Sequence, residues 1–348
     1  MHEIYKIMKK TFLFLLFTLF LSAQKTEVIH LKQNIKDRNA RTKSLTLIDT
    51  RTDQEIGKVS DKKEEALLKL PAEDMNDFVQ NWFTEDNNTK GNNDIVLVLE
   101  ELKVYDEQAP NDKFILGKAR LKISSFLKRN DKYYFISRFD NVIVCDPKRV
   151  SSVSRYLSQT LSNVIVEFIN ATYAAPVMSQ YIPENEITRY DSYLVENNKS
   201  LHQELKDGVY LNFRSFSNQE PAFGYYTEKN KKGKVVRVKE KEVTIPMGDV
   251  FCYVENGEAY RYTPSGFLKM TKDNKGFYIV SSRAELFAEA KSGGIIIGAV
   301  AGGIVGAAIG AAIDAGSNKG AMKGFGFKSS TFTNVYIDSL TGSFNFQQ

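Results

Sequence analysis

Three histidines, two cysteines and the adjacent glutamates Glu100 and Glu101 are the residues of this chain considered first for acid–base, nucleophilic or metal chemistry. His2 sits in the leader, while His30 and His202 stand far apart, in neither an HExxH run nor a similar ligand spacing. A Ser-His-Asp or Cys-His arrangement would have to use one of those two. Cys145 and Cys252 have no CxxC partner, so zinc, haem-attachment and thioredoxin-like spacings are missing. An oxidising compartment would permit a disulfide between them. Each also lies in an apolar run, "NVIVCD" and "DVFCYV", that suits a buried free thiol equally well. Glu100 and Glu101 offer two carboxylates, but consecutive strand residues point to opposite faces, which argues against their cooperation. No Walker loop occurs, and the GxGxxG-like matches near the C terminus lack their strand and acidic partner. The expectation is a protein that is not an enzyme, with no catalytic, cofactor-binding or metal site.

The informative spacing belongs to small residues. Residues 293–313 carry no charge and place glycine at Gly294, Gly298, Gly302, Gly306 and Gly310. A four-residue period lines one helix face with glycine, so that a second helix approaches closely. As a helix the segment would be about 31 Å long, matching the hydrocarbon of a bilayer. In water each glycine costs about 1 kcal/mol against alanine, so a membrane or a partner groove is expected to cover this helix. The segment resembles glycine-zipper membrane segments. A membrane partner through 293–313 and a homo-oligomer follow as expectations.

The chain's 348 residues, 42% of them hydrophobic, suffice for two globular cores. Residues 1–23 read as a signal peptide: Lys6, Lys9 and Lys10, then the apolar run Thr11 to Leu21, then cleavage near Ala23. That predicts export to the cell envelope. Its removal, with three lysines and one glutamate, lowers the formal net charge from +5 to +3, too small an excess to signal nucleic acid. The basic stretch Glu228 to Glu242 reads as a solvated edge hairpin.

The predicted fold class is α+β. Residues 40–173 form one domain, an antiparallel sheet with two packed helices: "SLTLIDT" and "QEIGKVS" pair as a hairpin, and three long alternating strands follow. The first helix carries the stripe Met75, Phe78, Val79, Trp82 and Phe83. The second is N-capped at Asp146 and carries the stripe Val150 to Phe168. Residues 174–204 read as a linker, 205–282 as an all-β module, and 314–348 as a short tail with a hairpin around "SLTG". In the module, Tyr210, Phe213, Tyr225, Tyr226, Tyr253, Tyr260 and Tyr262 either line a sugar- or peptide-binding face or serve as packing residues.

Asp49, Arg51, Ile56 and Gly57, in a strand ending in an Asp-x-Arg turn before an isoleucine-glycine pair, are carried by residues 40 to 145. This part of the chain resembles the YajG-type family of bacterial envelope lipoproteins, although it lacks the lipidated cysteine. The resemblance implies an envelope location and no defined activity. Together these readings predict a non-enzymatic envelope protein with partner-binding modules. The alternatives are a secreted pore- or assembly-forming protein and a soluble periplasmic ligand-binding protein with a buried zipper helix.

Overall fold

The computed structural model describes residues 25–87, 90–108, 114–286 and 332–345. The expected signal peptide and the glycine segment 293–313 lie outside them. The α+β expectation is corrected: the chain is mostly β, with nineteen strands in five sheets among the described residues.

The first sheet contains β2 (Thr42–Asp49), β5 (Asn93–Gln108), β6 (Ile115–Arg129), β7 (Lys132–Cys145) and β8 (Tyr181–Pro183), in that order. It is mixed rather than antiparallel, because β2 runs parallel to β5. Parallel neighbours need a crossover, which antiparallel ones do not. Here it is made by β3 (Lys58–Asp61), β4 (Glu64–Lys69) and helix α1 (Met75–Asp86). The expected "SLTLIDT"–"QEIGKVS" hairpin is therefore absent. Instead β3 pairs with β4, and β1 (Lys25–Val28) adds parallel to β4 in a separate three-stranded sheet.

Helix α1 buries Met75, Val79, Trp82 and Phe83. Helix α2 (Val153–Thr172) buries Val153, Leu157, Leu161, Val164 and Phe168 in the same core. That helix starts later than its sequence suggested. Asp146 closes a turn by accepting from Lys148 N, and Ser152 becomes the N-cap. A second carboxylate stabilises this end from outside the helix. Asp61 of β3, with a side chain only 1% exposed, accepts from Lys25 Nζ (2.5 Å), Ser152 Oγ (2.6 Å), Ser154 Oγ (2.7 Å) and Val153 N (3.1 Å). Burial acts to raise its pKa, but the hydrogen bonds from Lys25, Ser152 and Ser154 hold it well below the usual carboxylate range. An anion at a helix N terminus is also favoured by the helix dipole. Asp61→Ala leaves these donors and the Lys25 ammonium without their acceptor, and is expected to cost about 3 kcal/mol. A urea midpoint equal to that of the unaltered protein would contradict this.

Residues 174–204, read as a linker, carry β8, a 3-10 turn over Glu184–Arg189 and helix α3 (Tyr190–Glu196). These cover the second face of the first sheet through Ile182, Ile187, Tyr190 and Leu194.

The remaining chain folds into three small sheets. β9 (Gly208–Tyr210) joins β13 (Cys252–Glu255), β14 (Glu258–Thr263) and β15 (Gly266–Lys269). β10 (Tyr225–Lys229), β11 (Val235–Glu240) and β12 (Val243–Ile245) form the second, and the basic stretch lies in its first hairpin. The third contains β16 (Thr271–Asp273), β17 (Gly276–Ser281), β18 (Thr333–Ile337) and β19 (Phe344–Asn345). Ser281 pairs with Thr333, so the chain leaves this sheet after β17 and comes back beside it as β18. The turn between β18 and β19 reaches the first sheet: Leu340 packs with Val96, Val98 and Phe126, while Phe344 joins the core of the second half.

Candidate functional site: a charged cleft backed by a buried ion network

Leu97 and Leu99 of β5 bury in the first core, and so do Leu102 and Val104. The apolar phase thus changes from odd to even positions across Glu100 and Glu101. The pairing register slips at the same place, between Leu99 and Glu101. A bulge opposes two residues to one and re-aims side chains. Both carboxylates therefore line one cleft, against the expectation of opposite faces.

The cleft has a volume of about 500 Å³. Its walls are the loop after β2, the bulge of β5, Lys122 of β6 and the start of α3. Arg51, 8% exposed, grips Asp49 through Nε (2.9 Å) and Nη2 (2.6 Å), and Nη2 also donates to Gln54 Oε1 (3.1 Å). The loop then closes at Gly57, where φ is +106° and Val104 N donates to Ile56 O at 2.6 Å. A Cβ at Gly57 would lie 2.3 Å from Val104 O, so only glycine fits that approach. The residues behind the YajG-type resemblance thus shape one wall of the cleft.

Each cation lining the cleft faces a carboxylate: Arg51 with Asp49, Lys103 with Asp53, Lys122 with Glu100 (2.8 Å) and Asp191, and Arg189 with Glu186 (2.6 Å). Beneath them lies Arg138 of β7. Its Nη2 donates to Tyr190 OH (2.6 Å) and Asp191 Oδ1 (3.0 Å), its Nε to Ser124 Oγ (3.1 Å), and its Nη1 to Asp338 Oδ2. Ser124 Oγ in turn donates to Glu100 Oε2 at 2.7 Å. Asp338 follows β18, so the network ties the tail to the first sheet, and Asn345 Nδ2 to Asp140 Oδ2 (2.9 Å) adds a second tie.

Burial pushes Tyr190 well above the ordinary phenol range, which keeps its proton in place. For Asp191 burial acts upward, but Arg138 and Lys122 outweigh it and bring the carboxyl down to about 2. Ser124 is fully buried, so its hydroxyl is closed to an incoming substrate. The arrangement offers paired, hydrogen-bonded charges for polar recognition and locks four strands and a helix together behind them.

Other residues singled out in the sequence fall elsewhere. Cys145 and Cys252 are free, buried thiols in separate cores, so the permitted disulfide is not formed. Burial raises the Cys145 thiol to about 12 and also pushes the Cys252 thiol well above its ordinary value. The side chain of His202 approaches Val195 O at 2.9 Å, whereas His30 is exposed and its carbonyl accepts from Ser162. Tyr210 and Phe213 belong to one core of the second half and Tyr253 to another, with Tyr253 stacked on Tyr260 at 4.8 Å. These aromatics do not share an exposed face. Glycines 294, 298, 302, 306 and 310 lie outside the described residues. Among the described residues, no helix is long and apolar enough to cross a membrane, and no group of three or more His, Cys, Asp or Glu is disposed to hold a metal ion.

No family model, no curated protein and no solved structure matches the chain.

Proposed function

We propose that this protein is a non-enzymatic component of the bacterial cell envelope, exported by its N-terminal segment, which presents its folded modules to a protein partner and associates with the membrane and with itself through residues 293–313. The leader pattern and the resemblance of residues 40 to 145 to YajG-type envelope proteins support the location. The five-glycine period supports helix-on-helix packing inside a bilayer. The charged cleft, with its carboxylates and cations already paired, suits recognition of a polar surface.

One observation carries the form of this proposal. Ser281 and Thr333 are neighbours across β17 and β18, so the described strands on either side of residues 287–331 lie next to each other. A single-crossing anchor would carry the tail to the opposite side of the membrane and break that pairing. The membrane association proposed is therefore an excursion that returns.

The test is carbonate extraction of cells producing the protein, combined with protease access to a tag after Gln348 and to the module at 205–282. Retention in the membrane, with tag and module cleaved from the same side, is expected. A tag protected while the module is digested, or complete release by carbonate, would refute the excursion.

A further inference from the structure

A second cavity, of about 580 Å³, lies between the two halves of the chain, within the roughly 300–1,000 Å³ range of small-molecule sites. Phe135 and Met178 of the first half face Phe213 and Val250 of the second, and Phe344 of the tail lines it as well. Its wall is thus largely apolar, with one cationic side chain, Arg261 of β14.

Arg261 differs from every other deeply placed cation in the molecule described above. Lys122 and Arg138 each face carboxylates, whereas no carboxylate pairs with Arg261 among the described residues. Its Nη1 is used on two backbone carbonyls, Phe251 O (2.7 Å) and Tyr262 O (3.1 Å). Its Nε is buried and has no hydrogen-bond partner. Rings of Phe251 and Phe344 lie 4.1 and 5.1 Å from the guanidinium carbon and hold its plane. A buried donor left unmatched is costly, and a guanidinium edge with two adjacent N–H groups fits a carboxylate bidentately. Burial without a counter-charge lowers the Arg261 pKa to about 10, so the group remains a cation at neutral pH.

We infer that this cavity binds a small aliphatic monocarboxylate, with the carboxylate on the Nε–Nη2 edge of Arg261 and the hydrocarbon between Phe135, Met178, Phe213 and Phe344. The inference rests on the cavity and not on the membrane association proposed above. A single cationic side chain in the wall favours a monoanion over phosphate. The apolar wall favours a hydrocarbon body over a sugar or a short polar acid.

Calorimetric titration of the full chain with octanoate, octanol and octyltrimethylammonium tests this directly. Octanoate is expected to bind at least about tenfold more tightly than octanol, with the quaternary amine weakest. Arg261→Gln is expected to abolish that preference, and Arg261→Lys, which keeps the charge but loses the fork, to retain part of it. Equal binding of octanoate and octanol, no binding of octanoate, or an undiminished preference in folded Arg261→Gln would each overturn the inference. Should the glutamine variant fail to fold, the octanoate-to-octanol ratio on the unaltered protein decides alone.

Discussion

Replacing Arg138 with leucine is expected to lower the unfolding free energy by about 3–5 kcal/mol, the scale of breaking a buried ion pair from one side. Arg138 and Asp338 are 7% and 6% exposed in their side chains, so neither can turn to water for compensation. The leucine would leave Asp338 buried without its cation, and would strip Tyr190, Asp191 and Ser124 of a donor each. Urea unfolding measures the loss, and a midpoint within error of the parent would contradict it. The same network sets an acid limit. Asp191 has its folded pKa depressed to about 2, below the ordinary 3.8, so its contribution is complete above that ordinary value. It is lost as pH falls through the folded pKa. The parent protein is therefore expected to weaken between pH 4 and pH 2, and Arg138→Leu to show a smaller change across that window.

Ending the chain after residue 331 is expected to do still more. The truncation removes Val335, Ile337 and Phe344 from the core of the second half, Leu340 from the first sheet and Asp338 from Arg138. Removing a single buried apolar side chain costs about 2–5 kcal/mol, and a domain's whole stability is about 5–15 kcal/mol. Four such losses, together with a buried guanidinium deprived of one of its two carboxylates, should leave residues 205–286 unfolded. Limited trypsin digestion reads this out: the basic hairpin Glu228 to Glu242, with its many lysines, should be cut at once in the truncated chain and slowly in the parent. Equal resistance would contradict the role given to the tail. Replacing residues 287–331 with a short glycine-serine linker should leave the resistance intact, because β17 and β18 are already neighbours.

How much of this was legible in the sequence depended on the length of the pattern. The three long strands and both long helices announce themselves, since alternation or a helical stripe accumulates over many residues in "DIVLVLEELKVYD" or "MNDFVQNWF". The parallel pairing of β2 with β5 did not, because alternation is the same for either direction and only the crossover distinguishes them. Residues 174–204 read as a linker because their elements run for three to seven residues, too few for a period to build up. The phase change in "LVLEELKV", with leucines at 97 and 99 and then at 102, does record the bulge that turns Glu100 and Glu101 to one cleft. The rule of alternate faces hid it. Arg138 and Arg261 carried a weaker signal, a lone cation beside an aromatic residue in a strand. Nothing in the sequence pairs Arg138 with Asp338, because that contact spans 200 positions. The mostly β class was missed for the same reason as the linker: many of its strands are short.

The late position of Asp338 in the chain also sets the order in which the molecule can be completed. Everything Arg138 needs is synthesised early except its last counter-ion, and the core of the second half waits for Val335, Ile337 and Phe344. Contacts between distant positions are slow to form, because the intervening chain must be closed first. A chain emerging from the ribosome therefore cannot complete these contacts until residues 335–344 are free. Under the export proposed above, that delay would keep the polypeptide threadable until residues 333–345 have been made, and those residues would then act as the latch that closes on arrival.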